Sequence, residues 1–204
     1  HVNALVTVQA VAQAAGKDAV LAPLHRDRYD LAALAALIDY RTKLVFIANP
    51  NNPTGTYVTK RELSSFLERI PPTVIVVLDE AYFEYVVAPD YPSGLTDFPG
   101  RARLVVLRTF SKAHGLAGLR IGYGVMDPEL VEYIARVRQP YNVSSVAQAA
   151  AIAALEDDAH VERSRKMVRA GMAQLEAGFT KLGLSFVPSQ ANFIVGRVPG
   201  EGER

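Results

Sequence analysis

The chain contains no cysteine. That absence excludes a disulfide framework, a thiolate metal site and a cysteine nucleophile together. Nor does either charge dominate: 22 basic side chains stand against 21 acidic ones, a balance without the field that gathers nucleic acid or an anionic membrane. No apolar run approaches membrane-spanning length, and no basic, apolar and small-residue leader pattern opens the chain. The expectation is a cytoplasmic protein without a retained address, bound to neither membrane nor nucleic acid. A small, individually recognised substrate is the default partner. What is present suffices for a core, since 204 residues that are 50% hydrophobic make one large domain, or one domain and part of another. His1 opens the chain without a methionine and Gly-Glu-Arg closes it after a strand-like segment, so both ends are expected to be cut rather than finished.

Residues 3–15 are rich in alanine and other apolar residues and stop at Gly16, which predicts a helix with a glycine C-cap. A short strand is expected over Ala19 to Pro23. Asp30 is placed to cap a helix over LAALAALI, and KLVFIA (43–48) is an apolar run of the length of a buried parallel strand. Thr59 with Glu62 forms a capping box, and Pro71-Pro72 forbids continuation of that helix beyond about Ile70. The run TVIVVLD and the segments 104–107 and 121–125 are further strand candidates. Beyond Asp127-Pro128 the pattern turns helical over 129–138, 145–155 and 158–182, Gly183 ends the last of these, and short strands follow near 184–187 and 192–196. Strands alternating with helices predict an α/β domain with a mostly parallel sheet over residues 1–165, and residues 166–204 as the start of a smaller α+β unit.

Ligands of open α/β sheets sit beyond the carboxyl ends of the strands, so polar residues after strand-like runs are the candidates. Asn49-Pro50-Asn51-Asn52-Pro53-Thr54-Gly55 follows KLVFIA, and its prolines and glycine hold an irregular loop from which Asn52 can donate a hydrogen bond. Taken alone it is also an ordinary turn. Asp79-Glu80-Ala81-Tyr82 follows the next run, where an acid is costly unless it meets a cation or a metal; a helix cap or an ion pair is its plain alternative. Thr109-Phe110-Ser111-Lys112 follows LVVL, with Arg120 eight residues beyond the lysine. Such a lysine can be an amine nucleophile and such an arginine can clamp a phosphate, although a lone lysine is more often a surface residue. Arg138-Gln139-Pro140-Tyr141-Asn142-Val143 marks the end of one helix and the start of another. His25 and His160 lack metal-ligand spacing, so no metal site is expected, and His114 is read as local structure. GLAGLRIGYG lacks the strand, turn and helix order of a dinucleotide fingerprint.

In chain order, Asn-Pro-Thr-Gly, Asp-x-x-Tyr, Thr-x-Ser-Lys and the following arginine resemble the pyridoxal-phosphate-dependent aminotransferases of fold type I. NPNNPTG, LDEAYFEY, RTFSKAHGLAGLRIGYG, RQPYNVSSVAQAAAIAAL and ANFI are most similar to the histidinol-phosphate branch, over about residues 16–195. The resemblance implies a three-layer αβα large domain with a mostly parallel sheet, part of a small α+β domain, and pyridoxal 5'-phosphate as cofactor. It further implies that Lys112 holds the cofactor covalently and moves the proton, that Asp79 pairs with the pyridine nitrogen, and that Tyr82 and Asn52 bond the phenolic oxygen. Thr109, Ser111 and Arg120 hold the phosphate on the same implication. A small amino donor, 2-oxoglutarate and a homodimer are the implied partners.

The same resemblance places before His1 an arm to the partner subunit and a glycine turn at the phosphate, expects an aromatic residue over the ring for which the opening HVNALVTV offers no counterpart, and places after Arg204 an arginine for the substrate carboxylate. The expected activity is amino transfer between histidinol phosphate and 2-oxoglutarate. Two alternatives stay open: another enzyme of this fold, such as an aromatic or broad-range aminotransferase or a threonine-phosphate decarboxylase, and a non-catalytic remnant or scaffold.

Overall fold

The computed structural model describes residues 6–198. Its helix α1, Val6–Ala14, leaves through Gly16 in the left-handed region (φ 67°), as the glycine cap predicts; residues 3–5 of the expected helix lie outside the described residues. Ala19 to Pro23 do not form the expected strand. Val20 is 69% exposed and no neighbouring strand pairs with this segment among the described residues, so its apolar character has no ladder to join. A small hairpin follows instead, β1 (Leu24–His25) with β2 (Arg28–Tyr29), turned by Arg26 and Asp27 at φ 50° and 64°.

Helix α2, Leu31–Ala36, starts where Asp30 accepts from the amides of Ala32 and Ala33, and ends two residues before the apolar run does. Strand β3 (Leu44–Ala48) leads to α3 (Lys60–Arg69), where Thr59 and Glu62 form the predicted capping box. Strand β4 (Ile75–Asp79), strand β5 (Leu104–Thr109) and strand β6 (Gly122–Val125) complete one sheet in the order β3-β4-β5-β6. The first three run parallel and β6 runs antiparallel to β5, pairing Thr109 with Gly122.

Alternation along the strands sends Val45, Ile47, Val76, Leu78, Leu104 and Val106 to one face, where α3 meets them with Leu63, Phe66 and Leu67. Ile47, Leu63 and Leu78 are wholly buried there, at about 1.5–3 kcal/mol for each large aliphatic side chain removed from water. That core holds the strand ends in fixed register, and the register sets the spacing of the polar residues that follow.

Helices α4 (Pro128–Val137), α5 (Ser145–Leu155) and α6 (Asp158–Lys181) lie where the helical pattern predicts them, each started by a side-chain cap: Asp127, Ser144 and Asp157. The last two strands, β7 (Ser185–Val187) and β8 (Val195–Arg197), pair antiparallel. β8 begins later than the sequence suggests, because residues 188–193 turn back over the loops beyond β3 and β4 instead of pairing.

Candidate active site

Parallel pairing sets Ala48 opposite Asp79, so the chain leaves β3 and β4 at one level, and the Asn49 amide donates to the Asp79 carbonyl (2.9 Å). The loop after β3 is held from within. Buried Asn49 accepts from the Val58 amide (2.9 Å), Asn51 donates to Thr54 Oγ1 (2.8 Å), and the hydroxyls of Thr54 and Thr56 meet at 2.8 Å. Its Asn49-Pro50 and Asn52-Pro53 bonds are cis. With Asn49 and Asn51 spent on the loop, Asn52 is the asparagine left exposed. Its Nδ2 donates to Tyr82 Oη over 3.0 Å.

Asp79 ends β4 with Oδ1 accepting from the Ala81 amide (3.1 Å). Burial raises its carboxyl above the usual range; that amide and the nearby Lys112 charge act in the opposite direction. The Tyr82 ring is 6% exposed, meets Phe193 edge to face at 5.1 Å, and has Lys112 Nζ 5.3 Å from its centroid. Lys112 has no hydrogen-bond acceptor among the described residues. Beyond β5, the Thr109 hydroxyl accepts from the Ser111 amide (3.1 Å), and buried Ala113 accepts through its carbonyl from Ser164 on α6 (3.0 Å). These contacts pin the turn on either side of Lys112.

The structure thus bonds Asn52 to Tyr82 and sets Lys112 Nζ over the Tyr82 ring, with Asp79 close enough for its charge and that of Lys112 to interact. Thr109 and Ser111 share one turn. Arg120 lies two residues before the Gly122 that pairs with Thr109, in a left-handed conformation (φ 53°); its side chain is exposed and donates to the Ala117 carbonyl (2.8 Å), with no bond to Thr109 or Ser111 among the described residues. His114 packs on Phe110 at 5.1 Å with Nε2 3.9 Å from Glu84, in keeping with its structural reading.

Two features escape sequence reasoning. Glu80, fully buried, accepts at Oε2 from both Nε and Nη2 of Arg108 (2.8 and 2.6 Å) and at Oε1 from the Gly94 amide (2.6 Å). Arg108 also lies 3.4 Å over the Phe83 ring. The only cue was a charge inside or beside each apolar run. The second is Gln190, whose side chain accepts from the amides of Val87 (2.9 Å) and Ala88 (3.2 Å), and nothing in the sequence marks it. Among the described residues no cluster of three or more His, Asp or Glu could hold a metal, and no helix is long and apolar enough to cross a membrane.

Fold and site together describe an α/β protein that gathers an amine, a half-buried carboxylate and a donor pair at the carboxyl ends of parallel strands. Residues 8–201 match the sequence family aminotransferase class I and II, and the chain belongs to that family. It is 53% identical over 184 residues to the histidinol-phosphate aminotransferase of Moorella thermoacetica, covering 90% of this chain and 48% of that protein. With the histidinol-phosphate aminotransferase of Anaeromyxobacter sp. it shares 50% over 199 residues, covering 97% of this chain and 55% of the other. The crystal structure of histidinol-phosphate aminotransferase from Sinorhizobium meliloti in complex with pyridoxal-5'-phosphate matches with a TM-score of 0.88 at 31% identity, over 96% of this chain and 53% of that one. The fold is that of the fold type I aminotransferases. The chain spans about half the length of the curated relatives it matches.

Proposed function

We propose that this chain is the cofactor-holding part of a pyridoxal-phosphate-dependent aminotransferase that exchanges an amino group between histidinol phosphate and 2-oxoglutarate in histidine biosynthesis. The observation that carries the proposal is the Asn52–Tyr82 hydrogen bond beside Lys112 Nζ, with half-buried Asp79 on the adjoining strand end. The names of the similar proteins support the choice of substrate.

The residues fit the cofactor chemically. Asp79 is a half-buried carboxylate that lacks a bonded cation among the described residues, and a protonated ring nitrogen is such a cation. Asn52 donates to the Tyr82 oxygen, which leaves the phenol proton free to be donated onward. Pyridoxal phosphate, when bound, supplies a conjugated ring that takes up the electron pair released at the substrate carbon. Lys112 is the residue that would hold the cofactor through its amine and, when that amine is free, would carry the proton at the substrate Cα. Asp79 would keep the ring nitrogen protonated, Tyr82 and Asn52 would stabilise negative charge on the phenolic oxygen, and Thr109, Ser111 and Arg120 would hold the phosphate.

Residues 1–165 make up the large domain and 166–204 begin the small one in this proposal, and the working protein is a cytoplasmic homodimer. Exposed apolar side chains on consecutive helices, Val131, Ile134 and Val137 of α4 and Ile152 and Leu155 of α5, support a covering surface from a second chain or the rest of the protein. The test is to add pyridoxal phosphate, reduce with borohydride and map the labelled peptide. Visible absorption distinct from the free cofactor, with the label on Lys112 and lost in K112A, is expected; label scattered over surface lysines sinks the proposal.

A further inference from the structure

Asn52 and Tyr82 stand on two different loops, and something must hold those loops at hydrogen-bonding distance. The segment between β7 and β8 lies across both. Gln190 donates its amide to the Gly55 carbonyl (2.8 Å), on the loop that carries Asn52. Its Oε1 accepts from the amides of Val87 and Ala88 (2.9 and 3.2 Å), just beyond the 3₁₀ turn Phe83–Tyr85 that follows Tyr82. One residue therefore bonds to both loops, at sequence separations of more than a hundred residues in the side-chain contacts. The neighbours of Gln190 reinforce the bridge. A Cβ on Gly55 would overlap Ser189 Oγ and approach its Cα to 3.0 Å, so the segment rests directly on the loop backbone. Ala191 is buried with Tyr82, Tyr85 and Ala113, and Phe193 meets the Tyr82 ring edge to face.

We propose that Gln190 is a positioning residue for the cofactor, acting by fixing the Asn52 loop against the Tyr82 loop so that the two donors converge on one oxygen. This rests on the proposed roles of Asn52 and Tyr82. Because Gln190 works through one acceptor oxygen and its backbone amide, a carboxylate in its place keeps the bridge, whereas an apolar side chain of similar size leaves two amides without their acceptor.

The test compares Q190L and Q190E in the full chain, first without cofactor by amide hydrogen exchange and then with pyridoxal phosphate by binding and visible circular dichroism. Q190L is expected to speed exchange at residues 87–88 and also at Asn51 and Gly55, to weaken cofactor binding by about tenfold, and to alter the dichroic signal, with Q190E restoring all three. Faster exchange confined to residues 87–88, or Q190E behaving like Q190L, overturns the proposal. N52A and Y82F separate it from the reading beneath it. If both leave the bound spectrum unchanged, the roles of Asn52 and Tyr82 fall and the positioning proposal falls with them; if they alter it and Q190L does not, only the positioning proposal falls.

Discussion

Arg108 delivers two N–H groups to one carboxylate oxygen of Glu80, and these residues are the immediate chain neighbours of Thr109 and Asp79. Side chains alternate along a strand, so a pair turned into the protein at Glu80 and Arg108 leaves Asp79 and Thr109 facing the other way. The pair thereby ties the end of β4 to the end of β5 from behind the candidate site.

Removing one partner should be far worse than removing both. E80L leaves the nearly buried Arg108 with Glu84 at 4.0 Å as its remaining carboxylate, and should cost about 3–5 kcal/mol in urea unfolding. The double variant E80L/R108M should recover part of that loss, since no unpaired charge stays inside. Equal losses in the single and double variants would mean that the pair matters through its shape alone.

Asp79 gives a pH dependence with a defined sign. Burial raises its folded pKa, so the folded chain binds the proton more tightly than the unfolded one does. Below the ordinary carboxylate pKa both states are protonated and no penalty exists; as pH rises from there through the raised folded value, the unfolded chain gives up its proton first and stability is lost, the loss being complete once the folded carboxyl is ionised. D79N should remove that cost. Urea titrations of the cofactor-free protein from about pH 4 to about pH 8 should show wild type losing stability relative to D79N as pH rises. A constant difference between the two across that range would assign Asp79 no shifted titration.

Local signals were the most legible part of the sequence. Asp30, Thr59 with Glu62, and Asp127 each announce a helix start through a side chain that accepts from a nearby amide, and all three do so in the structure. The apolar runs that became β3, β4 and β5 were legible because a strand buried on both faces needs no alternation. Ala19 to Pro23 misled for the complementary reason, since composition says nothing about whether a neighbour is present to pair. The candidate residues could be picked out by their place after strands and by motif order. Their contacts could not, because the Asn52–Tyr82 and Glu80–Arg108 bonds depend on strand register, and Gln190 reaches back across most of the chain.

Gly55 is the position where the least added volume should do the most. It sits at φ 72°, where an L side chain is strained, and its missing Cβ is the space that Ser189 occupies. G55A should therefore cost about 1–3 kcal/mol or more in unfolding experiments. Adding S189G removes the overlapping side chain and leaves the backbone strain, so G55A/S189G should be more stable than G55A and less stable than S189G alone. Full recovery in the double variant would show that φ at this position carries no cost.

Arg120 separates stability from binding in the opposite way. Its left-handed backbone (φ 53°) is one that glycine adopts freely and arginine does not, so R120G relieves strain of about 1–3 kcal/mol and gives back about 0.5–1 kcal/mol through the greater freedom of unfolded glycine. Net stability should hold or rise. If the guanidinium meets the cofactor phosphate, a charge-assisted contact worth about 1.5–3 kcal/mol is lost at the same time, and affinity for pyridoxal phosphate should fall about ten- to a hundredfold. Pyridoxal without its phosphate provides the control, since its binding never used that contact and should be unchanged in R120G. Equal losses for the two ligands would place Arg120 outside the phosphate site. A loss confined to the phosphorylated ligand, in a protein at least as stable as wild type, would show that the strained backbone is kept for binding.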